Sequence, residues 1–328
     1  MGLTRRRLLA LAGVSTLSAA MAGAVRAEGG SVALAPAAPV APAAVPPSFA
    51  LTTPMRVGAV ALRVRHLAPM VLWYRTTFGF DVISRTGRQA VLGADGVGLL
   101  HLVGAPDAPP DRPESAGLFH IAFLMPDREA LARWLVHAAG TGVRLDGFAD
   151  HSVSEAVYLS DPEGNGLEVY ADRPRDTWLW RDGVVTMGTF DLDIDGLLTL
   201  TDTSRDTYAG VPAGTRIGHV HLRVGDIPAG RTFYESGLGL ASTRGLRTDS
   251  AFLSSGGYHH HVALNIWQSA GAPPRDPEAA GLMWFTLEVA DPALMAAMTT
   301  RLPKAQQTAS GTLAATDPWG TEVRIIAA

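Results

Sequence analysis

Two stretches, "VGAVALRVRHLAPMVLWYRTTFGF" (residues 57–80) and "IGHVHLRVGDIPAGRTFYESGLGL" (residues 217–240), align without a gap. Gly58/Gly218, Val60/Val220, Leu62/Leu222, Arg63/Arg223, Val64/Val224, Tyr74/Tyr234 and Gly79/Gly239 coincide. Each stretch alternates like a half-buried strand, shifts to the spacing of an amphipathic helix, and stops at glycine. A second pair, "GLFHIAFLMPDREAL" (117–131) and "GLMWFTLEVADPALM" (281–295), repeats the plan, with an Asp-containing turn opening each helix. Short β-rich runs follow every helix. In "EAVYLSDPEGNGLEVY" (155–170) a Pro-Glu-Gly-Asn turn separates two of them.

The chain therefore holds four βαβββ modules, starting near residues 57, 117, 217 and 281. Such repetition decides the architecture before any single residue does. One module alone leaves a sheet face exposed. Two side by side make a curved sheet whose concave face can hold a ligand. The expected fold class is α+β, with four βαβββ modules forming two paired curved mixed sheets. Modules 1 and 2 (55–180) form the first expected domain, and modules 3 and 4 (181–328) the second.

Composition narrows the function. At 328 residues and 47% hydrophobic, the chain can bury one large or two medium cores. A net charge of −4 with no long basic run points away from nucleic acid. Cysteine is absent, which excludes disulfides, thiolate catalysis and Cys-ligated metals. Any metal must be held by His, Asp or Glu. The N-terminal "TRRRLLALAGVSTLSAAMAGAVRA" (4–27) joins an arginine cluster to a weakly apolar run and a small-residue site. This is the pattern of a secretory signal, and the arginines after Thr4 resemble a twin-arginine leader. The expectation is a signal peptide over 1–27, export to the periplasm or beyond by the twin-arginine (Tat) machinery, and no membrane span after cleavage. An uncleaved N-terminal anchor is the competing reading. Residues 28–54 are expected to be an Ala/Pro linker, extended and mobile.

The repeats "GHVHLRVGD…FYESGLGL" and "YLSDPEGNGLEVY" resemble the vicinal oxygen chelate superfamily, which includes glyoxalase I, fosfomycin-resistance enzymes and extradiol catechol dioxygenases. Within 55–328, "DHSVSEAVYLSDPEGNGLEVYADRPRDTW" (150–178) and "GGYHHHVALNIW" (256–267) resemble its catechol 2,3-dioxygenase-like branch. In this superfamily metal ligands sit on the first and last strands of a module. Module 2 offers His120 and Glu168 there, and module 3 offers His219, with His259–His261 leading into its last strand. Module 1 has Ala59 and Gly96 at the His219 and His260 positions. Module 4 has Trp284 where His120 sits and Arg324 near the Glu168 position. One metal site is therefore expected between modules 2 and 3, with modules 1 and 4 as a supporting pair. Pairing within one chain or across a homo-oligomer fits equally.

The physics agrees. Glu168 sits between apolar neighbours, where an inward carboxylate is costly unless paired or coordinating. A lone histidine in a strand like "LFHIAFL" is more often a hydrogen-bonded core residue. Two such histidines and a carboxylate at matched module positions tip the balance toward a metal. His120, His219 and Glu168 make a two-His-one-carboxylate set that suits Fe(II), and its N and O donors also suit Mn(II). Three coordination positions stay open, two for a catecholate and one for O2. His221 competes with His219 because "HVH" puts both on one strand face. His219 is preferred because its spacing to Asp226 equals that of His120 to Asp127.

The resemblance implies further roles. His260 matches the acid–base histidine, Tyr158 the tyrosine that hydrogen-bonds the substrate oxygen, and His151 a supporting histidine, at a spacing to Tyr158 two residues short. On its own, a run of three histidines is usually a solvated tract. Here a glycine turn precedes it and "VALNIW" follows, so it enters a core strand. Strict alternation places His259 and His261 on the face of Asn265 and favours His261 as the inward residue. The family match favours His260, and a bulge would reconcile the two. The expected function is a metal-dependent extradiol dioxygenase acting on a small aromatic diol with O2. A glyoxalase-like isomerase or other metalloenzyme of the superfamily, and a non-catalytic periplasmic metal or aromatic-ligand binder, are the alternatives. Glyoxalase-type sites usually offer a carboxylate on both modules, and Asn265 occupies the second position here.

Overall fold

The computed structural model describes residues 48–308 and 311–328. The expected leader (1–27), and the expected linker up to residue 47, lie outside the described residues. Module 1 comprises β1 (Met55–Val64), α1 (Leu67–Phe78), β2 (Asp81–Arg85), β3 (Gln89–Ala94) and β4 (Val97–Gly104). Module 2 comprises β5 (Gly117–Leu124), α2 (Arg128–Gly140), β6 (Leu145–Asp150), β7 (Ser154–Ser160) and β8 (Gly166–Asp172). A connection follows with β9 (Trp180–Arg181), β10 (Val184–Val185) and α3 (Ile194–Leu198). Module 3 comprises β11 (Arg216–Arg223), α4 (Ile227–Arg231), β12 (Ala241–Ser242), β13 (Ser250–Ser254) and β14 (Val262–Asn265). Module 4 comprises β15 (Gly281–Val289), α5 (Pro292–Arg301), β16 (Gln306–Gln307), β17 (Leu313–Thr316) and β18 (Glu322–Ala327).

Local chemistry sets the element ends. Asp127 and Asp226, matched in the repeat, are both N-caps, each accepting the backbone N–H of the third residue on at 2.7 Å. Gly79 closes α1 in the left-handed region at φ 68°, its N–H returning to the Arg75 carbonyl. In module 3 the helix widens after Arg231 into a π-turn over Thr232–Gly237.

The strands form two eight-stranded mixed sheets, ordered β16-β17-β18-β15-β1-β4-β3-β2 and β12-β13-β14-β11-β5-β8-β7-β6. Module 1 pairs with module 4, and module 2 with module 3. Each sheet thus takes one module from either side of residue 180. The two junctions are antiparallel, β1 with β15 and β5 with β11. Residues 48–54, expected at the end of the linker, are packed into the fold. Phe49–Thr52 form a 3-10 turn, Ala50 is buried, and the Phe49 ring lies 6.1 Å from that of Trp178. Phe49 gives this segment an apolar anchor that the Ala/Pro run before it lacks. No helix among the described residues is long and apolar enough to cross a membrane.

Strand alternation sorts the second sheet's residues. Ile121 and Phe123 of β5, Leu167 and Val169 of β8, Val220 and Leu222 of β11, and Val262 and Leu264 of β14 join the main apolar core. The intervening residues His120, Glu168, His219, His221 and Asn265 therefore leave by the opposite face. Two buried hydrogen bonds tie the sheets together and explain further parts of the repeat. Tyr74 of α1 donates to Asp161 Oδ2 at 2.8 Å, and Tyr234 donates to Asp317 Oδ2 at 3.0 Å. Each aspartate also accepts two backbone N–H groups of its own turn through Oδ1. Each tyrosine thus ties a helical segment of one sheet's module to a turn of the other sheet. Tyr74→Phe and Tyr234→Phe should each lower stability by about 1–3 kcal/mol, because each leaves a buried carboxylate one donor short. Urea unfolding measures this, and the two losses should be similar.

Candidate metal centre and active-site cavity

His120 and Glu168 come from neighbouring strands of module 2, and His219 from β11 across the junction. His120 Nε2 lies 3.1 Å from Glu168 Oε2, His219 Nε2 lies 3.3 Å from the same oxygen, and the two nitrogens are 3.3 Å apart. Donors that share one ion at about 2.1 Å converge to this degree. Among the described residues, this is the one group of three His or acidic side chains close enough to hold a metal.

The electrostatics point the same way. Burial would raise the Glu168 carboxyl, but the His219 and His120 imidazoles override it and hold the group well below the usual carboxylate range. Burial pushes His219 down to about 4, against the pull of Glu168. The Glu168 carboxylate is 2% exposed and in contact with both imidazoles. A buried negative charge without a counter-charge is expensive, and a divalent cation offsets it. Neutral imidazole and ionised carboxylate are also the forms that coordinate. The residues present therefore fit a metal with two nitrogen donors and one oxygen donor.

His120 and Glu168 of the trio line a cavity of about 620 Å³, and His219 lies against His260, which lines it too. Phe119, Phe148, Met187, Phe252 and Trp267 give it apolar sides, and His120, His151, Tyr158, Glu168, His221 and His260 its polar ones. His151 Nδ1 lies 2.7 Å from the Gly188 carbonyl and donates to it, so Nε2 accepts from the Tyr158 hydroxyl, also at 2.7 Å. The Tyr158 oxygen keeps a lone pair for a second donor. Burial, reinforced by Glu168, keeps the Tyr158 phenol protonated well above its ordinary value.

The structure separates the three consecutive histidines. β14 begins only at Val262, so alternation does not extend through His259–His261. His260 lines the cavity, its ring centroid 4.1 Å from that of His219. Burial, with His219 and His259 next to it, pushes His260 well below the ordinary histidine value. His261 instead meets Thr53 Oγ1 and Ser254 Oγ, each at 3.2 Å, away from the cavity. His259 lies behind His260. The geometry gives His260 the inward position without a bulge, because the strand starts too late for its alternation to apply.

His221 does not join the trio. Asn265 donates to its Nε2 at 3.0 Å, and its ring lines the cavity. Sequence reasoning did not single out Arg244, whose guanidinium lies 5.0 Å from the centre of the Phe252 ring and donates to the Met187 carbonyl. It also passed over Asp172 as a partner of His259. The "HVH" alternation signalled His221, but nothing local in sequence marks Arg244 or Asp172. In the other sheet Trp284 and Arg324 stand at the corresponding strand positions. The Arg324 guanidinium lies 4.1 Å from the centre of the Trp284 ring, and His101 packs against the same tryptophan.

Residues 56–169 and 216–325 match the model of the Glyoxalase/Bleomycin resistance protein/Dioxygenase superfamily. A catechol-2,3-dioxygenase of Bacillus subtilis (strain 168) is 42% identical over 235 residues, 70% of this chain and 81% of the relative. Among solved structures, a glyoxalase I variant from Zea mays has a TM-score of 0.51 at 15% identity, covering 85% of this chain and 96% of that one. The cppA protein of Streptococcus pneumoniae TIGR4 has a TM-score of 0.51 at 11% identity, covering 83% and 99%. These two share the fold. The chain belongs to the Glyoxalase/Bleomycin resistance protein/Dioxygenase superfamily.

Removing a donor should abolish tight metal binding. His120→Ala, Glu168→Ala and His219→Ala should each lose the ion by elemental analysis after gel filtration, while His221→Ala should retain it. Metal should also raise the wild-type melting temperature and leave that of Glu168→Ala unchanged.

Proposed function

We propose that this member of the superfamily is a metal-dependent extradiol ring-cleaving dioxygenase that acts on a catechol-like aromatic diol with O2. The observation that carries the reading is the trio His120, Glu168 and His219, of which His120 and Glu168 line a cavity walled by aromatic side chains. The identity with a catechol-2,3-dioxygenase supports the same chemistry. Fe(II) is the ion this donor set suits best, and Mn(II) has compatible preferences. When bound, the metal would supply Lewis acidity toward the diol oxygens and open positions for both substrates.

The chain's own residues do the rest. Phe119, Phe252 and Trp267 offer a slot for a planar ring and exclude water from one side of it. His260, neutral and on the cavity wall, accepts the proton that the diol must lose and can return one later. Tyr158, whose own proton goes to His151, offers its oxygen to the second hydroxyl and orients the diol. Arg244, half-buried on the same wall, favours the anionic diolate over the neutral diol. Asn265 disfavours the glyoxalase-like alternative, because it gives module 3 a neutral amide where a second carboxylate would be needed, and that amide is engaged with His221.

Anaerobically Fe(II)-loaded protein mixed with catechol and oxygen should yield a yellow ring-opened product. His260→Ala should lower kcat by about 10²–10⁴-fold with its metal retained. Absence of product across a panel of catechols, together with tight ligand binding that needs no metal, would identify a binding protein instead. Loss of metal from His260→Ala would remove the acid–base role from that residue.

A further inference from the structure

Behind His260 the hydrogen bonds form a line with a direction. Asp172, at the end of β8, places Oδ1 3.0 Å from His259 Nε2. A carboxylate only accepts, so His259 carries its proton on Nε2. In its neutral form His259 then has a lone pair on Nδ1, which lies 2.7 Å from His260 Nδ1. With His259 neutral, only the His260 nitrogen can donate across this contact. His260 therefore holds its proton on Nδ1 and has a bare Nε2.

We propose that Asp172, acting through His259, fixes the tautomer of His260 and so presents an unprotonated Nε2 to the cavity. Free imidazole in water favours the opposite tautomer, so a specific partner is needed to select this one. The partner is well held. His259 is fully buried, its ring centroid 4.0 Å from that of Tyr258 and 5.2 Å from that of Trp178. The Asp172 carboxylate also accepts from Tyr258 Oη at 3.1 Å and from Ser48 Oγ at 3.3 Å. Tyr258 in turn pairs with Tyr170 at 2.7 Å. Asp172 and His259 are thus positioning residues, since neither lines the cavity. The arrangement gives two of the three consecutive histidines linked duties, one facing the cavity and one setting the other's proton.

The use made of the bare Nε2 rests on the dioxygenase reading, but the tautomer itself does not. The test is ¹⁵N NMR of histidine-labelled protein loaded with Zn(II), which fills the donors without paramagnetism. The His260 signals are identified by their loss in His260→Ala. The wild type should show a protonated Nδ1 and a bare Nε2 at His260. His259→Phe, which offers no acceptor, should shift His260 toward the Nε2–H tautomer and lower kcat of the iron-loaded enzyme about 10²-fold, with KM and metal content unchanged. His259→Gln can accept from His260 through its amide oxygen and donate to Asp172 through its nitrogen. It should restore the tautomer and recover at least about tenfold of the lost kcat. A protonated Nε2 in the wild type, or Gln and Phe variants with the same tautomer, would overturn the proposal. A correct tautomer in a protein that opens no catechol would leave it standing and refute only the dioxygenase reading.

Discussion

The antiparallel junction between β5 and β11 is the constraint on which the site depends. It joins the consecutive modules 2 and 3 and sets His221 opposite His120 and His219 opposite Ala122. β8 lies parallel to β5 on its other side and sets Glu168 beside Ala122. His219, Ala122 and Glu168 thus form a row across three strands. The side-chain period of a strand is two, so a one-residue slip at the junction would turn β11's histidines toward the core and its valine and leucine toward the cavity. Burial of Val220 and Leu222 on one face therefore guards the placement of His219 and His221 on the other.

The same architecture occurs twice, and only one copy carries the donors. The β1–β15 junction repeats the β5–β11 junction in its pairing. Its matching positions hold Trp284 and Arg324 instead of an imidazole and a carboxylate, with the guanidinium over the tryptophan ring. The copy that keeps His120, Glu168 and His219 keeps a buried anionic charge, which destabilises the chain unless a cation is present. A divalent cation held by the trio would offset that charge and couple metal binding to folding.

Much of this was legible in the sequence because it follows from periodicity. The four modules and their Asp-opened helices come from the matched stretches, and the facing of modules 2 and 3 comes from which modules fill the ligand positions that the resemblance implies. The grouping of His120, Glu168 and His219 is what the family resemblance implies, and their matched strand positions support it. Legibility ended where the chain leaves regular structure. Alternation favours His261 and the resemblance His260, and the alternation does not apply because neither residue lies in the strand. The Ala/Pro surroundings make residues 48–54 look like linker, although Phe49 and Thr53 pack against groups that lie more than 120 residues further on. Asp172 is similarly remote from His259 in sequence, and only the fold brings them together.

The central claim is that a single metal sits between modules 2 and 3 and takes a catechol directly. Anomalous diffraction from crystals of the Fe(II)-loaded protein, grown anaerobically with a catechol, tests it most directly. The account predicts one iron peak bounded by His120 Nε2, His219 Nε2 and Glu168 Oε2, with both diol oxygens at the metal and His260 Nε2 facing one of them. An iron peak on His221 or the histidine run, or a catechol bound away from the metal, would contradict it.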